Sequence, residues 1–244
     1  MMRMKSILRP LVPEWAKNAH ARYLSRKMDS ECEGLSVKQV FERAYATHLW
    51  GRPPDQSLYS GKGSHSPGIV TPYVEAVRQF IISLPQRPTV VDLGCGDFNV
   101  GRQLYDLCSA YTACDIVGPV VEQNRKVYAA LPVRFLELDM IEEPLPAGDI
   151  ACIRQVLQHL SNEQIGRIVP KLQQYRYLII TEHLPGRAAF RSNAEKPAGP
   201  GTRIGLHSGV VLTDAPFFLI PRSQRTICSQ PQVGGLIQTI VYEL

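Results

Sequence analysis

Val90-Val91-Asp92-Leu93-Gly94-Cys95-Gly96-Asp97 is an apolar strand that runs directly into a glycine-bearing turn, and the fold follows from it. Gly94 and Gly96 allow backbone angles, or a ligand approach, that a side chain would block. Open parallel sheets bind ligands at the carboxyl ends of their strands, so a cofactor is expected at this turn. Two nucleotide-like cofactors compete for it. A dinucleotide fingerprint G-x-G-x-x-G would need glycine at position 99, where the chain has Asn99. It would also set a pyrophosphate beside Asp97 with Asp92 close behind, and carboxylates repel a phosphate wherever water is scarce. The same carboxylates suit a ligand with a cationic amino group and a sulfonium.

Outward from the turn, short apolar runs recur at Thr89–Leu93, Tyr111–Val117, Val133–Leu138, Ile150–Ile153 and Tyr177–Thr181. Helix-like segments separate most of them. One is opened by Ser161 with Gln164 at capping-box spacing, and Pro170 should bend or shorten it. This alternation predicts a parallel sheet covered on both faces. The end of the chain differs. Gln224–Cys228 and Leu236–Tyr242, joined through a Pro-Gly-Gly-containing turn, read as an antiparallel hairpin. Upstream, Thr71 caps a helix with Pro72 at its first position and Val74, Val77, Phe80, Ile81 and Leu84 as its stripe. Another helix starts after Ser36, with Val37, Val40, Phe41 and Ala44 on one face. Trp50–Gly68 reads as loop, and Pro13-Glu14 opens a short helix carrying Trp15, Ala19 and Tyr23.

Acidic residues recur at the strand ends. Asp115 ends the second strand ~20 residues beyond the turn, where an acidic side chain typically holds ribose hydroxyls. Asp139 follows the third strand, and Met140 beside it can pack on adenine. Taken alone, each Asp reads equally as a turn or cap residue.

The pattern Asp92-x-Gly94-x-Gly96, with Phe98 in place of a third glycine, resembles the first motif of class I S-adenosylmethionine-dependent methyltransferases. The resemblance covers roughly Thr71 to Leu244. Cys95-Gly96-Asp97-Phe98-Asn99 is similar to one branch of that superfamily. The branch also shows a loop like Ser60-Gly61-Lys62-Gly63-Ser64, a segment like Arg154-Gln155-Val156-Leu157-Gln158-His159-Leu160 and one like Ala215-Pro216-Phe217-Phe218. The resemblance implies a doubly wound, mostly parallel seven-stranded α/β sheet ending in an antiparallel hairpin. It implies S-adenosylmethionine as cofactor and methylation of an oxygen on a glycan, sugar intermediate or small metabolite. Residues 1–70 are then a helical arm with the Gly/Ser loop, 71–244 the cofactor-binding domain, and 184–214 a substrate lid. Expected cofactor contacts are Ser60, Gly63, Ser64, Asp92, Gly94, Gly96, Asp97, Phe98, Asp115, Asp139, Met140 and Gln155. A silent scaffold of the same fold and an NAD-linked oxidoreductase are the alternatives.

Methyl transfer from a sulfonium needs alignment and exclusion of water more than activation. An alcohol acceptor also profits from a base, and two histidines follow strands on the ligand edge. His159, four residues beyond Gln155, is either that base or a residue wedged between Leu157 and Leu160 that fixes the next helix. His183, after Glu182, is a base, a substrate contact or a loop anchor. Ser60, Gly63 and Ser64 are placed to donate to the methionine carboxylate, with Lys62 and His65 beside them, or they form a plain surface turn. The long connection Leu184–Asp214 carries Arg187, Arg191, Lys196, Arg203 and His207, which suit an acidic or phosphorylated acceptor or are simply solvated.

The 244 residues, 44% hydrophobic and 20% charged, are enough for one substantial core. Six cysteines without C-x-x-C spacing, and no clustered ligands, point to neither a disulfide framework nor a metal. No run approaches the ~18 apolar residues of a membrane span, and the start lacks a signal-peptide core. A cytoplasmic location is expected. Residues 1–27 hold seven basic side chains against Glu14, a charge of +6 that leaves −1 for the remainder of a +5 chain. Such an arm is either a solvated helix or a peripheral contact with an anionic membrane face. Nucleic acid is not expected as a partner, since no basic and aromatic pattern recurs.

Overall fold

Alternate residues of strand β1 (Thr89–Leu93) face two different cores, as the strand's period of two requires when both sheet faces are covered. Val91 and Leu93 join one cluster, Val90 the other. The computed structural model describes residues 32–51, 58–186 and 189–244. The predicted helix around Pro13–Tyr23, the basic arm and Arg187 lie outside them.

Seven strands form one sheet in the order β3-β2-β1-β4-β5-β7-β6. Strands β2 (Ala110–Asp115), β3 (Val133–Glu137), β4 (Ile150–Arg154) and β5 (Tyr177–Pro185) run parallel to β1. The closing hairpin, β6 (Ser223–Gln232) and β7 (Gly235–Glu243), adds antiparallel to β5. It is longer than the sequence suggests. Pro231 sits inside β6, where an edge strand tolerates the lost N–H, and Val233-Gly234 makes the turn. β5 also runs on to Pro185, paired with β7 throughout, so the connection expected at 184–214 spans residues 186–222.

Helix α1 (Val37–Ala46) starts at Ser36, whose side chain closes a capping box with Gln39. Trp50–Gly68 is not all loop: α2 (Lys62–His65) makes one turn there. Helix α3 (Pro67–Ile82) begins four residues before Thr71, with Ser66 preceding it and Pro67 in its first turn. Pro72 therefore lies inside the helix. Its ring opposes the carbonyl of Gly68, a glycine with open space around its α-carbon. Burial of Val70, Tyr73, Val74, Val77, Phe80 and Ile81, ~1.5–3 kcal/mol per large side chain, exceeds the ~3 kcal/mol an internal proline costs. Helix α4 (Gly118–Val127) leads to β3. Helix α5 (Asn162–Leu172) opens with the Ser161–Gln164 capping box and runs through Pro170, ending two residues later. Between β1 and β2 the chain makes two short 3-10 turns in place of a helix.

The α3 face and the α1–α5 face are thus the two outer layers. All parallel strands end on one edge, which gathers the loops after β1, β2, β3 and β4.

Candidate functional site

The turn after β1 is built by hydrogen bonds that leave its concave side open. Gly94 N and Cys95 N donate to the carbonyl of Cys114 at 2.8 and 2.9 Å, and Gly96 N to Asp115 Oδ2 at 2.9 Å. Gly94 and Gly96 both take left-handed angles (φ 81° and 55°). A Cβ at Gly94 would meet Val156 Cγ2 at 2.4 Å, and one at Gly96 would meet Ser60 Oγ at 2.2 Å. Glycine is required at both for conformation and for space.

A cavity of about 380 Å³ opens above this turn. On the β2–β3 side it is bounded by Asp115, Ile116, Leu138, Asp139 and Met140. On the β4 side stand Arg154 and Gln155, with Ser60, Lys62, Gly63 and Ser64 laid across them. Phe41, Tyr45, Trp50, Gln158, His159 and Thr202 complete the wall. Of the residues expected at a cofactor, Ser60, Gly63, Ser64, Gly94, Gly96, Asp115, Asp139, Met140 and Gln155 line this cavity. Asp92 and Asp97 line a smaller adjoining cavity with Ser64 and Arg154. Phe98 lines neither: it is fully buried, edge-on to Tyr111, Tyr128 and Phe135. The third glycine of the motif is replaced because this position, although at φ 61°, fills an aromatic core.

The acidic residues are engaged in different ways. Burial pushes the Asp92 carboxyl up to about 6, although Tyr111 O–H donates to it at 3.0 Å. Asp115 accepts from the N–H groups of Gly96 and Val117 at 2.9 and 3.0 Å, which partly offsets the rise that burial causes. Asp139 caps its own turn through Ile141 N at 2.8 Å, as its plainer reading required. Asp97 does not face the large cavity. Its Oδ2 accepts from Ser60 N at 2.9 Å and pairs with His65 Nε2 at 2.6 Å, while Asp97 N donates to Ser60 Oγ at 2.7 Å. Asp97 thus holds the 58–66 strap down on the glycine turn. His65→Ala, which removes that clasp, is expected to cost about 0.5–1.5 kcal/mol by urea denaturation.

Arg154 is the residue that sequence reasoning missed. It ends β4, is half-buried, and lies over the Tyr73 ring at 4.9 Å. Its guanidinium donates to Gly63 O at 2.6 Å and Ser64 Oγ at 3.4 Å, and its Nε has no partner among the described residues. No carboxylate lies within ion-pair distance among the described residues. Burial accordingly lowers its pKa. The visible signal was a charged residue directly ending an otherwise apolar strand. Gln155, next in sequence, takes a left-handed conformation (φ 57°) that a non-glycine residue adopts only at a cost.

His159 lies on the cavity wall, at the end of a 3-10 turn (Leu157–His159), with Phe41 and Trp50 against its ring at 6.1 and 6.0 Å. Gln158 Nε2 faces the carbonyl of Gln155 at 3.3 Å, which can only accept, so the amide orientation is set. His159 Nδ1 faces the carbonyl of Gly201 at 3.3 Å and must carry the proton. Its Nε2 is therefore the lone-pair nitrogen, taking an N–H from Gln158 at 3.3 Å. Burial holds this imidazole down to about 4. His183, also held down to about 4 by burial, does not line the cavity, and its Nε2 is without a partner among the described residues.

The described cations of the long connection do not line the cavity. Arg203 is buried, donating to the carbonyls of Ala194, Leu157, Gln158 and Leu160 and to Asn162 Oδ1. Lys196 is buried with its Nζ on Pro197 O at 2.6 Å, while Arg191 and His207 are exposed. Glu182, near Arg203, is pushed up to about 8 by burial although Leu157 N donates to it. Its carboxyl keeps a proton in the fold that the unfolded chain has lost, so its stabilisation fades as pH rises from 4.5 to 8. His159 and His183 act oppositely, costing stability as pH falls from 6.5 to about 4. Above pH 6.5 Glu182 dominates this set. Stability measured by denaturant titration should decline towards pH 8, by up to about 1.4 kcal/mol per pH unit, and Glu182→Gln should flatten the decline.

Residues 91–173 match the family model described as a methyltransferase domain. No curated protein sequence matches the chain. Among solved structures, the N-methyltransferase NodS from Bradyrhizobium japonicum WM9, in complex with S-adenosyl-L-homocysteine, superposes with a TM-score of 0.61 at 12% identity, covering 85% of this chain and 97% of that one. Human N-acetylserotonin methyltransferase in complex with S-adenosylmethionine gives 0.56 at 16% identity, covering 94% and 66%. Magnesium protoporphyrin IX methyltransferase from Synechocystis PCC 6803, with S-adenosyl-L-homocysteine bound, gives 0.55 at 14% identity, covering 85% and 99%. At these identities the likeness is one of fold.

Proposed function

We propose that this chain, which carries a methyltransferase domain on the class I S-adenosylmethionine-dependent methyltransferase fold, transfers the methyl group of S-adenosylmethionine to an oxygen of a small acceptor, within the range of glycans, sugar intermediates and metabolites. The observation that carries the reading is the order of charge along one cavity. Carboxylates stand at the ends of β2 and β3, a glycine turn lies in the middle, and a half-buried guanidinium with no carboxylate in ion-pair distance among the described residues stands at the end of β4. That order is complementary to a zwitterion: hydroxyls to Asp115, carboxylate to Arg154 with Lys62, Gly63 and Ser64 alongside. A dinucleotide would meet a different environment. Among the described residues one arginine reaches the cavity, and its partners sit on the β4 side.

When bound, the donor supplies a methyl group already activated on a cationic sulfur. The residues of this chain then have three tasks. Gly94 and Gly96 let the backbone approach. Ile116, Leu138 and Met140 offer an apolar slot for a purine. The strap held by Asp97 and the wall formed by Phe41, Tyr45 and Trp50 exclude water. His159, whose Nε2 takes an N–H from Gln158, stands with that glutamine on the wall as the polar pair nearest an acceptor hydroxyl. His183, outside the cavity, acts at most through the shape of β5.

The test is transfer of tritium from methyl-labelled donor to a panel of small hydroxylated acceptors. Label appearing in at least one acceptor is the expected result. Donor binding without transfer to any of them, unchanged by His159→Ala and His183→Ala, would favour a silent scaffold of the same fold.

A further inference from the structure

We infer that the acceptor is an uncharged aromatic ring bearing a phenolic hydroxyl, packed against the wall made by Phe41, Trp50 and His159. The inference rests on the donor reading above and names the substrate class of the same site.

Three observations lead to it. The first is the wall itself. Phe41, Trp50 and His159 lie 6.0–6.3 Å apart, centroid to centroid, and Tyr45 abuts Trp50 edge-on at 5.1 Å. Rings this close leave no slot for another between them, and they are tilted against one another by 33° to 88°, so the cavity meets a cluster of ring faces and edges. An aromatic ring suits such a cluster, since edge-to-face and offset contacts gain ~0.5–1.5 kcal/mol each beyond burial.

The second is charge. An acidic or phosphorylated acceptor needs cations, and among its described residues the connection between β5 and β6 has none lining the cavity. Arg203 is spent on backbone carbonyls, Lys196 is buried on Pro197 O, and neither lines the cavity. The segment contributes Pro200 and Thr202 instead. The cations that line the cavity among the described residues, Lys62 and Arg154, belong to the carboxylate end of the donor. A sugar fares no better. It carries hydroxyls all round its ring, each costly to bury without a partner, and among the described residues the polar groups of this wall are few: Gln158, His159, Thr202 and the Tyr45 hydroxyl, which Ser60 already engages.

The third is the absence of a strong base among the described residues of this wall. The lone pair of His159 already accepts from Gln158, and its proton affinity is suppressed by burial. Asp115 and Asp139 lie on the β2–β3 side and accept backbone N–H groups. Nothing here can strip an aliphatic hydroxyl, whose pKa approaches the ~16 of water, whereas a phenol ionises near ~10. An acceptor that supplies its own acidity fits this wall. Its hydroxyl proton leaves to solvent, the oxygen pair forms the new O–C bond, and the C–S bond breaks with its electrons staying on sulfur. The products are an aryl methyl ether, a neutral thioether and one proton. Gln158 Oε1, buried without a partner among the described residues, is available to hold that hydroxyl beforehand.

The experiment is calorimetry on the full chain in two stages. S-adenosyl-L-homocysteine is titrated first, and the loaded protein is then titrated with 2-naphthol, methyl glucoside or 2-naphthyl phosphate. We expect 2-naphthol to bind about ten-fold or more tighter than either of the others, and Trp50→Leu to erase that margin, read as the ratio of acceptor affinities within the variant so that any change in the first titration cancels. Methylation of 2-naphthol should accelerate with pH towards the phenol's own pKa. Glucoside or phosphate ester binding as well as 2-naphthol, or 2-naphthol failing to bind the loaded protein, overturns the inference and leaves the donor reading standing. No heat in the first titration removes both.

Discussion

Arg203→Ala is expected to destabilise the fold by about 3–5 kcal/mol, because one buried guanidinium serves five acceptors. Three of them are the carbonyls of Leu157, Gln158 and Leu160, around the 3-10 turn that carries His159. Another, Ala194 O, belongs to the β5–β6 connection, so the arginine fastens that connection to the end of β4. Removing it strands carbonyls that water cannot reach, each worth ~1–3 kcal/mol and not additive. Arg203→Lys should recover little, since three ammonium donors cannot reproduce a planar fork over five acceptors. The loss should appear as a lower urea midpoint. It should be accompanied by a shift of the alkaline stability loss to higher pH, because Glu182, deprived of the neighbouring cation, is pushed up further. A variant within 1 kcal/mol of wild type, on the order of a surface change, would mean that Arg203 is not the fastening.

Arg154→Gln is expected to weaken binding of S-adenosyl-L-homocysteine by about thirty-fold or more, the cost of leaving a desolvated carboxylate without its charge partner. The guanidinium already donates to Gly63 and Ser64, yet its Nε has no partner among the described residues, and Asp92, the carboxylate it feels, lies outside ion-pair distance. Burying a cation in this way is costly unless something else supplies the opposite charge. 5′-Methylthioadenosine, which lacks the amino-acid moiety, separates the explanations. Its affinity should be nearly unchanged in the variant. An equal loss for both compounds would make Arg154 a residue that merely props the strap.

The sheet was legible because its signals are local. Short apolar runs bounded by turn residues mark strands, and the glycine turn after Leu93 marks the ligand edge. The early start of α3 was hidden by Pro72, which looks like a helix opener and is instead carried by the buried stripe around it. The missing helix between β1 and β2 was hidden too, since nothing in 101–107 distinguishes short 3-10 turns from a helix. At the site, the glycines and the strand-end acids could be read from position. Their partners could not. Asp97 looks like a cofactor ligand in sequence and proves to be the anchor of a strap thirty-odd residues upstream. Arg203 looks like a substrate-binding cation in a long surface connection and proves to be among the most buried side chains of the protein. Arg154 drew no attention, because its significance lies in what is absent around it. Each of these facts concerns contacts between distant segments, which periodicity and spacing do not encode.

The most direct measurement is calorimetric titration of the purified chain with S-adenosyl-L-homocysteine and, in a separate cell, with NAD. A cavity ordered as carboxylates, glycine turn and lone guanidinium predicts one S-adenosyl-L-homocysteine per chain and no heat from NAD. Saturable NAD binding with no response to S-adenosyl-L-homocysteine would contradict it.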